Sequence, residues 1–378
     1  MQARIYPITD TTLDAFDYTK LSAINQCPRW GLIRYDQHKR MPGNSRSTAL
    51  EMGTLAHHCF AAIRLFELLE YGPSVYGDRY DRASVDQLGA RMFGRDRYAE
   101  VLRLFSNGED TRRRVYAIAV YIANTSGWDD DPLDRRRTLT NLETSLSAYI
   151  DRGQLGASIP IISPFIGIEV PVDVTVEFRE PLVSGDGFVR AYRDNDEIDV
   201  PNNTIWRLLD KVRYIGKIDG LVHPHNDLSK IRVEENKTAS RLDQSWQDSF
   251  ILSHQVTGYC VAASYLTRSR VDEALVRGMM IPLPKTYDQG GIVNMHVERD
   301  HYRVAEWLKW FYNTVQVWKQ WKDDAVNAPE YTHSCNRYFR SCPFIPLCAM
   351  AAPEERKLSL EQMVYDRWNP LTEEHTNE

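Results

Sequence analysis

The chain has 378 residues, 43% of them hydrophobic and 26% charged, which allows a large buried core and is ordinary for a soluble globular protein. Its formal net charge of −6 speaks against a uniformly basic, indiscriminate nucleic-acid binder but leaves room for a local basic groove. No apolar run approaches the roughly 20 residues that span a bilayer. The opening MQARIYPITDTT also lacks the basic start and apolar stretch of a signal peptide, so a cytoplasmic protein without membrane contact is expected.

In chain order, residues 18–36 predict a helix, with Ser22 as N-cap and apolar positions recurring at helical intervals. A second helix is predicted over 47–70, its apolar surface supplied by Leu50, Leu55, Phe60, Ile63, Leu65 and Leu68. From 80 to 155 the pattern stays helical and arginine-rich, with turn signals at Ser126-Gly127 and Asp131-Pro132, and reads as a helical insertion. Arg112, Arg113 and Arg114 form one basic cluster there and Arg135, Arg136 and Arg137 another. Such runs are usually solvated helix faces, and less often phosphate contacts.

The period changes at Ile168–Phe178, where every even position is apolar. That is a half-buried strand, and Pro171 puts it at an edge or bulge. Residues 182–203 are polar and glycine-bearing, as in a loop or hairpin excursion. Strands at Trp206–Val222 and Ile231–Thr238 are joined by the turn-like HPHNDLSK. A long helix over Gln244–Leu266, a short strand over Arg277–Pro284 and a helix over Arg303–Lys322 follow. Trp307, Trp310, Trp318 and Trp321 on that last helix are read as core. The charged tail after Ala352 is expected to pack loosely. Strands in the middle with helices around them predict an α/β fold with a mixed central sheet.

Chemistry concentrates around Glu234-Glu235-Asn236-Lys237-Thr238. Side chains alternate along a strand, so Glu235 and Lys237 share a face that begins apolar with Ile231 and Val233 and ends charged. There a carboxylate can hold a hard divalent cation and a lysine can position or deprotonate water. An E-x-K triplet by itself is more often an exposed ion pair. Asp219, in Gly216-Lys217-Ile218-Asp219-Gly220, lies sixteen residues earlier, a spacing suited to neighbouring strands. Two such acids plus a backbone carbonyl are enough protein ligands for Mg²⁺ or Mn²⁺. His57 follows Gly53 by four residues on the second helix, and Gln255 and Tyr259 lie one turn apart on a later one.

Taken in order, G-x-x-x-H, G-x-x-D-G, E-x-K-T and Q-x-x-x-Y resemble the RecB-like branch of the PD-(D/E)XK nucleases. The resemblance implies a restriction-endonuclease-like fold in one nuclease domain over 1–378, with the 80–155 insertion matching nothing specific. It also implies metal binding by His57, Asp219 and Glu235 and water activation by Lys237. Gln255 and Tyr259 would arrange the lysine or DNA. Glu235 stands where many relatives carry Asp, and the family accepts either acid.

Of six cysteines, Cys335, Cys342 and Cys348 cluster near the C-terminus, while Cys27 lies near the N-terminus. This set is similar to the iron–sulfur members of that branch, including the AddB nuclease domain and CRISPR-associated exonucleases. In these, one cysteine before the nuclease motifs and three after them ligate a 4Fe–4S cluster. The likeness implies that segment 327–352 packs against the N-terminal helix. Six residues separate Cys335 from Cys342 where those relatives often have two, so four-thiolate zinc competes. Cys59 and Cys260 sit among apolar neighbours and read as core cysteines. The expected function is hydrolysis of single- or double-stranded DNA by an exonuclease. A catalytically weak DNA-binding or assembly subunit is the alternative. No G-x-x-x-x-G-K-[ST] loop occurs, so a helicase or recombination motor would be a separate partner.

Overall fold

The computed structural model describes residues 2–7, 10–42, 48–152, 155–182, 205–283, 285, 291–337, 340–371 and 374–376. The polar stretch expected over 182–203 lies, beyond Leu182, outside these residues. Strands β1 (Gln2–Pro7) and β2 (Ala15–Phe16) precede helix α1 (Tyr18–Gln26). Asp17, rather than Ser22, caps α1 by accepting the backbone N–H groups of Thr19 and Lys20. The expected 18–36 helix is interrupted at extended Cys27, because Pro28 supplies no N–H and disfavours helical backbone before it. Helix α2 (Pro28–Gly31) restarts there, followed by a wide π-turn over Leu32–Asp36 and strand β3 (Lys39–Arg40). A Cβ at Gly31 would collide with the backbone of Ile24, so glycine lets α2 fold back on α1.

Helix α3 (Thr48–Tyr76) is longer than its predicted span, and α4 (Arg82–Phe93), α5 (Arg95–Phe105), α6 (Thr111–Asn124) and α7 (Leu139–Arg152) make up the helical region. Strands β4 (Ser158–Pro160), β5 (Ile168–Leu182), β6 (Ile205–Pro224) and β7 (Arg232–Ala239) come next. The helix predicted over 244–266 is two: α8 (Gln244–Ile251) and α9 (His254–Thr267). Ser253 divides them and caps α9 by accepting the N–H of Val256. Strand β8 (Glu273–Met280), the unpredicted β9 (Ile292–Glu298) and α10 (His301–Trp321) follow. The C-terminal region holds β10 (Asn336–Arg337), β11 (Arg340–Ser341), α11 (Ile345–Cys348), α12 (Pro353–Glu361) and β12 (Val364–Tyr365).

The architecture is α/β with mostly antiparallel pairing, and the chain divides into two compact units. The first comprises Met1–Ser45, Pro171–Lys217 and His301–Glu378. In it β1 runs antiparallel to β5, with Ile5 opposite Val176, and β2 runs parallel to β6 at Ala15 and Arg213. Phe16 meets Trp318 edge-on with ring centres 5.1 Å apart, and Phe178 meets Phe311 at 5.2 Å. Trp307 and Trp318 are core, whereas Trp310 and Trp321 are half-buried. The tail is not uniformly loose. Asp366 is buried and pairs with Arg34 at 2.9 Å and Arg40 at 3.2 Å, and two guanidiniums offset the cost of burying its charge.

The second unit comprises Arg46–Val170 and Ile218–Asp300. Here β6 runs antiparallel to β4 and to β7, β7 runs parallel to β8, and β8 runs antiparallel to β9. A parallel neighbour requires a crossover, and α8 and α9 provide it. Helix α3 buries Cys59, Phe60, Ile63, Leu65, Phe66 and Leu68, and such all-round burial marks a central helix.

Candidate active site and cysteine site

In the second unit the β6–β7 register joins Gly220 to Glu234, so Asp219 stands opposite Glu235 one step further on. Directly opposed residues of antiparallel strands project to one face, and alternation adds Lys237 to it. The ladder with β6 ends at this point, and the free Asn236 N–H donates to Asp219 Oδ2 at 2.6 Å. Asp219 Oδ1 lies 3.2 Å from His57 Nδ1. Gly53, one turn before His57, faces Thr238 of β7, and a Cβ there would stand 3.4 Å from the threonine hydroxyl.

Glu235 is 1% exposed. Its Oε1 lies 2.5 Å from Lys237 Nζ, while Oε2 is buried without a hydrogen-bond partner. Burial pushes the Glu235 carboxyl up to about 7; the Lys237 ammonium opposes this and the Asp219 carboxylate adds to it. For Asp219 burial also acts upward. Its neighbours His57 and Lys237 and the Asn236 N–H outweigh burial and leave the carboxyl below its ordinary range. Two buried acids on one face are thus held in different ionisation ranges. On α9 the Gln255 amide donates to the Tyr259 hydroxyl at 3.3 Å.

A third acid enters that the motif reading did not select. Ligand atoms of His57, Glu169 and Asp219 all lie within 4.8 Å of one another. Glu169 has φ +50°, a left-handed backbone that non-glycine residues adopt at a cost. Its sequence signal was weak, since an acid at an odd position of an alternating strand looks like an ordinary solvent-facing residue.

The opposite face of β7 is charged and buried as well. Glu234 is wholly buried and ion-paired with Arg64 of α3 and with Arg277 of β8, the latter at 3.3 Å. Arg64 also pairs with Glu67, whose other oxygen accepts the Gly156 N–H at 3.0 Å, and Arg277 donates to Ser158 at 3.2 Å. Two arginines and two glutamates balance in charge, the condition under which such groups can be buried at tolerable cost. Four of the six arginines in the basic clusters seen in the sequence have an acidic partner nearby. Arg112 pairs with Asp151 at 3.7 Å, Arg113 with Asp110 at 3.2 Å, Arg114 with Glu70 at 2.7 Å and Arg137 with Asp134 at 2.6 Å.

The first unit carries the four cysteines of the proposed set. Cys27 joins α1 to α2, Cys348 ends α11, and the Cys342 N–H donates to the Cys335 carbonyl at 2.7 Å. Arg29 Nε donates to the Ala328 carbonyl at 3.0 Å and Ser334 Oγ to the Gln26 carbonyl at 2.8 Å, which fastens the two chain regions together. Burial pushes the Cys342 thiol up, and the nearby thiols of Cys27, Cys348 and Cys335 act the same way. Among the described residues no three cysteine sulfurs lie within 4.8 Å of one another. Cys59 and Cys260 are fully buried, and burial alone dominates the upward shift of each thiol. Among the described residues no helix is long and apolar enough to cross a membrane.

No family model matches this chain, and no curated protein matches it. Among solved structures, the crystal structure of SSO0001 aligns with 67% of this chain and 94% of its own, at 12% identity and a TM-score of 0.26. A likeness of that size assigns neither fold family nor activity.

Proposed function

We propose that the chain is a metal-dependent DNA nuclease with a RecB-like PD-(D/E)XK site, and that a four-cysteine iron–sulfur cluster staples its first unit. One observation carries the nuclease reading: Glu235, opposite Asp219 in the strand register, keeps one buried carboxylate oxygen without a hydrogen-bond partner while its other oxygen holds Lys237. A buried acceptor without a donor is costly, and a hard cation satisfies it. His57, Asp219, Glu235 and the added Glu169 would hold Mg²⁺ or Mn²⁺. The ion, when bound, polarises a phosphate and lowers the pKa of water. Lys237, with its side chain 28% exposed, is anchored by Glu235 yet reaches solvent, so its ammonium can orient the attacking water and offset the negative charge that develops beside it. Asn236 and His57 fix the two oxygens of Asp219 and keep it ionised.

Cys27, Cys335 and Cys348 lie close enough to Cys342 that their thiols add to the upward push on it. Tetrahedral zinc with Zn–S near 2.3 Å would bring sulfurs to about 3.8 Å apart. The resemblance of the cysteine pattern to the iron–sulfur nucleases favours the cluster over zinc.

The test is cleavage of end-labelled linear and of circular DNA, single- and double-stranded, with Mg²⁺, Mn²⁺ or chelator. Metal-dependent hydrolysis lost in Lys237→Ala supports the proposal. DNA binding without hydrolysis under every condition would replace it with an assembly subunit that retains the site.

A further inference from the structure

The helical insertion matches no motif, yet its last helix reaches the strand that carries Glu235 and Lys237. Tyr149 of α7 donates its hydroxyl to Asn236 Oδ1 at 2.8 Å, and the tyrosine and the asparagine are each 2% exposed. Asn236 is the middle residue of the E-x-K triplet, with its side chain on the face opposite Glu235 and Lys237. Its backbone N–H is the donor to Asp219 Oδ2. One residue therefore links the two faces of β7: its amide side chain is gripped by the insertion, and its peptide grips a proposed metal ligand.

Tyr149 is itself held. Its ring packs on Phe60 of α3 with centres 4.7 Å apart, and Phe60 stacks edge-on against His57 at 5.9 Å. On the same helix, Ser145 Oγ donates to the Met280 carbonyl at the end of β8 at 2.9 Å. Burial pushes the Tyr149 hydroxyl up to about 12, so it stays a donor throughout the ordinary pH range. An asparagine side-chain oxygen buried at this depth needs one donor, and Tyr149 supplies it.

We propose that Tyr149 is a positioning residue for the site: through Asn236 it fixes the peptide that orients Asp219, so the helical insertion sets metal affinity. This inference rests on the nuclease reading. Groups that orient ligands from behind commonly contribute tenfold or more to metal affinity.

The experiment compares wild type, Tyr149→Phe, Asn236→Ala and the double variant. Mn²⁺ binding is followed by calorimetry, the Mn²⁺ dependence of cleavage by rate, and folding by thermal melting. Tyr149→Phe is expected to weaken Mn²⁺ binding and raise the half-saturating Mn²⁺ for cleavage by about tenfold, with the rate at saturating Mn²⁺ changed far less. Adding it to Asn236→Ala should have no further effect on affinity. If Tyr149→Phe melts earlier but binds Mn²⁺ as wild type does, or the two changes multiply, the inference falls. Should Tyr149→Phe not fold, Asn236→Ser probes the same link from the strand with the same expected shift and the same refuting result. Wild type that binds no Mn²⁺, or binds it equally in Asp219→Asn, overturns the nuclease reading and this inference together. Binding lost in Asp219→Asn but untouched by Tyr149→Phe and by Asn236→Ser overturns this inference alone.

Discussion

Asp219 and Glu235 oppose one another across the β6–β7 pair, one step past the last ladder residues, Gly220 and Glu234. Both are buried, yet one carboxyl is pulled below its ordinary range and the other pushed up to about 7. Asp219 has His57 beside it, and Glu235 has Lys237.

Lys237 is the group proposed to act on water, so Lys237→Ala should cut DNA hydrolysis by about two to four orders of magnitude. Its ammonium is partly exposed, and its removal should leave melting temperature and bound iron near wild type. Single-turnover rates on end-labelled DNA, measured beside a thermal melt, check both parts. A variant that cuts at the wild-type rate would remove Lys237 from the mechanism.

Glu169 couples a strained backbone to a candidate ligand. Left-handed backbone costs a non-glycine residue about 1–2 kcal/mol, which outweighs or offsets the added chain entropy of glycine. Glu169→Gly should therefore melt no lower than wild type while binding Mn²⁺ more weakly. Calorimetry showing full Mn²⁺ affinity would exclude Glu169 from the metal site.

The Glu234 network is a stability element on the face of β7 opposite Glu235 and Lys237. Glu234→Ala leaves Arg64 and Arg277 buried with their shared carboxylate gone, and should cost about 3–5 kcal/mol. Urea unfolding measures this. A loss below about 1 kcal/mol would be the range of exposed pairs, and would mean that the pairs are hydrated in solution.

Cys27 lies more than three hundred residues from Cys335, so a group held by both closes most of the chain into a loop and links its binding to folding. Cys348→Ala should lose iron, sulfide and visible colour and should melt earlier. Cys59→Ala and Cys260→Ala should keep the iron. Anaerobically purified wild type that is colourless and holds stoichiometric zinc would refute the cluster and leave the nuclease site untouched.

The sequence by itself determined the local features. Alternating apolar residues marked β5, the helical periods marked α3 and α10, and motif spacing placed His57, Asp219, Glu235 and Lys237 on elements that meet. Those signals survive because each depends on near neighbours along the chain. Helix ends were less legible. Pro28 breaks one predicted helix and Ser253 another, since a cap or a missing N–H overrides periodicity. What only the tertiary structure decided depends on partners far apart in the chain. Strand β9 was not predicted from its own residues, but β8 gives it a partner across a full ladder. Glu234 looked like any strand glutamate until Arg64 and Arg277, from two other elements, surrounded it. Glu169 and Tyr149 gained their places near the site the same way, because a buried polar group is specified by the donors and charges folded against it, and no local pattern encodes them.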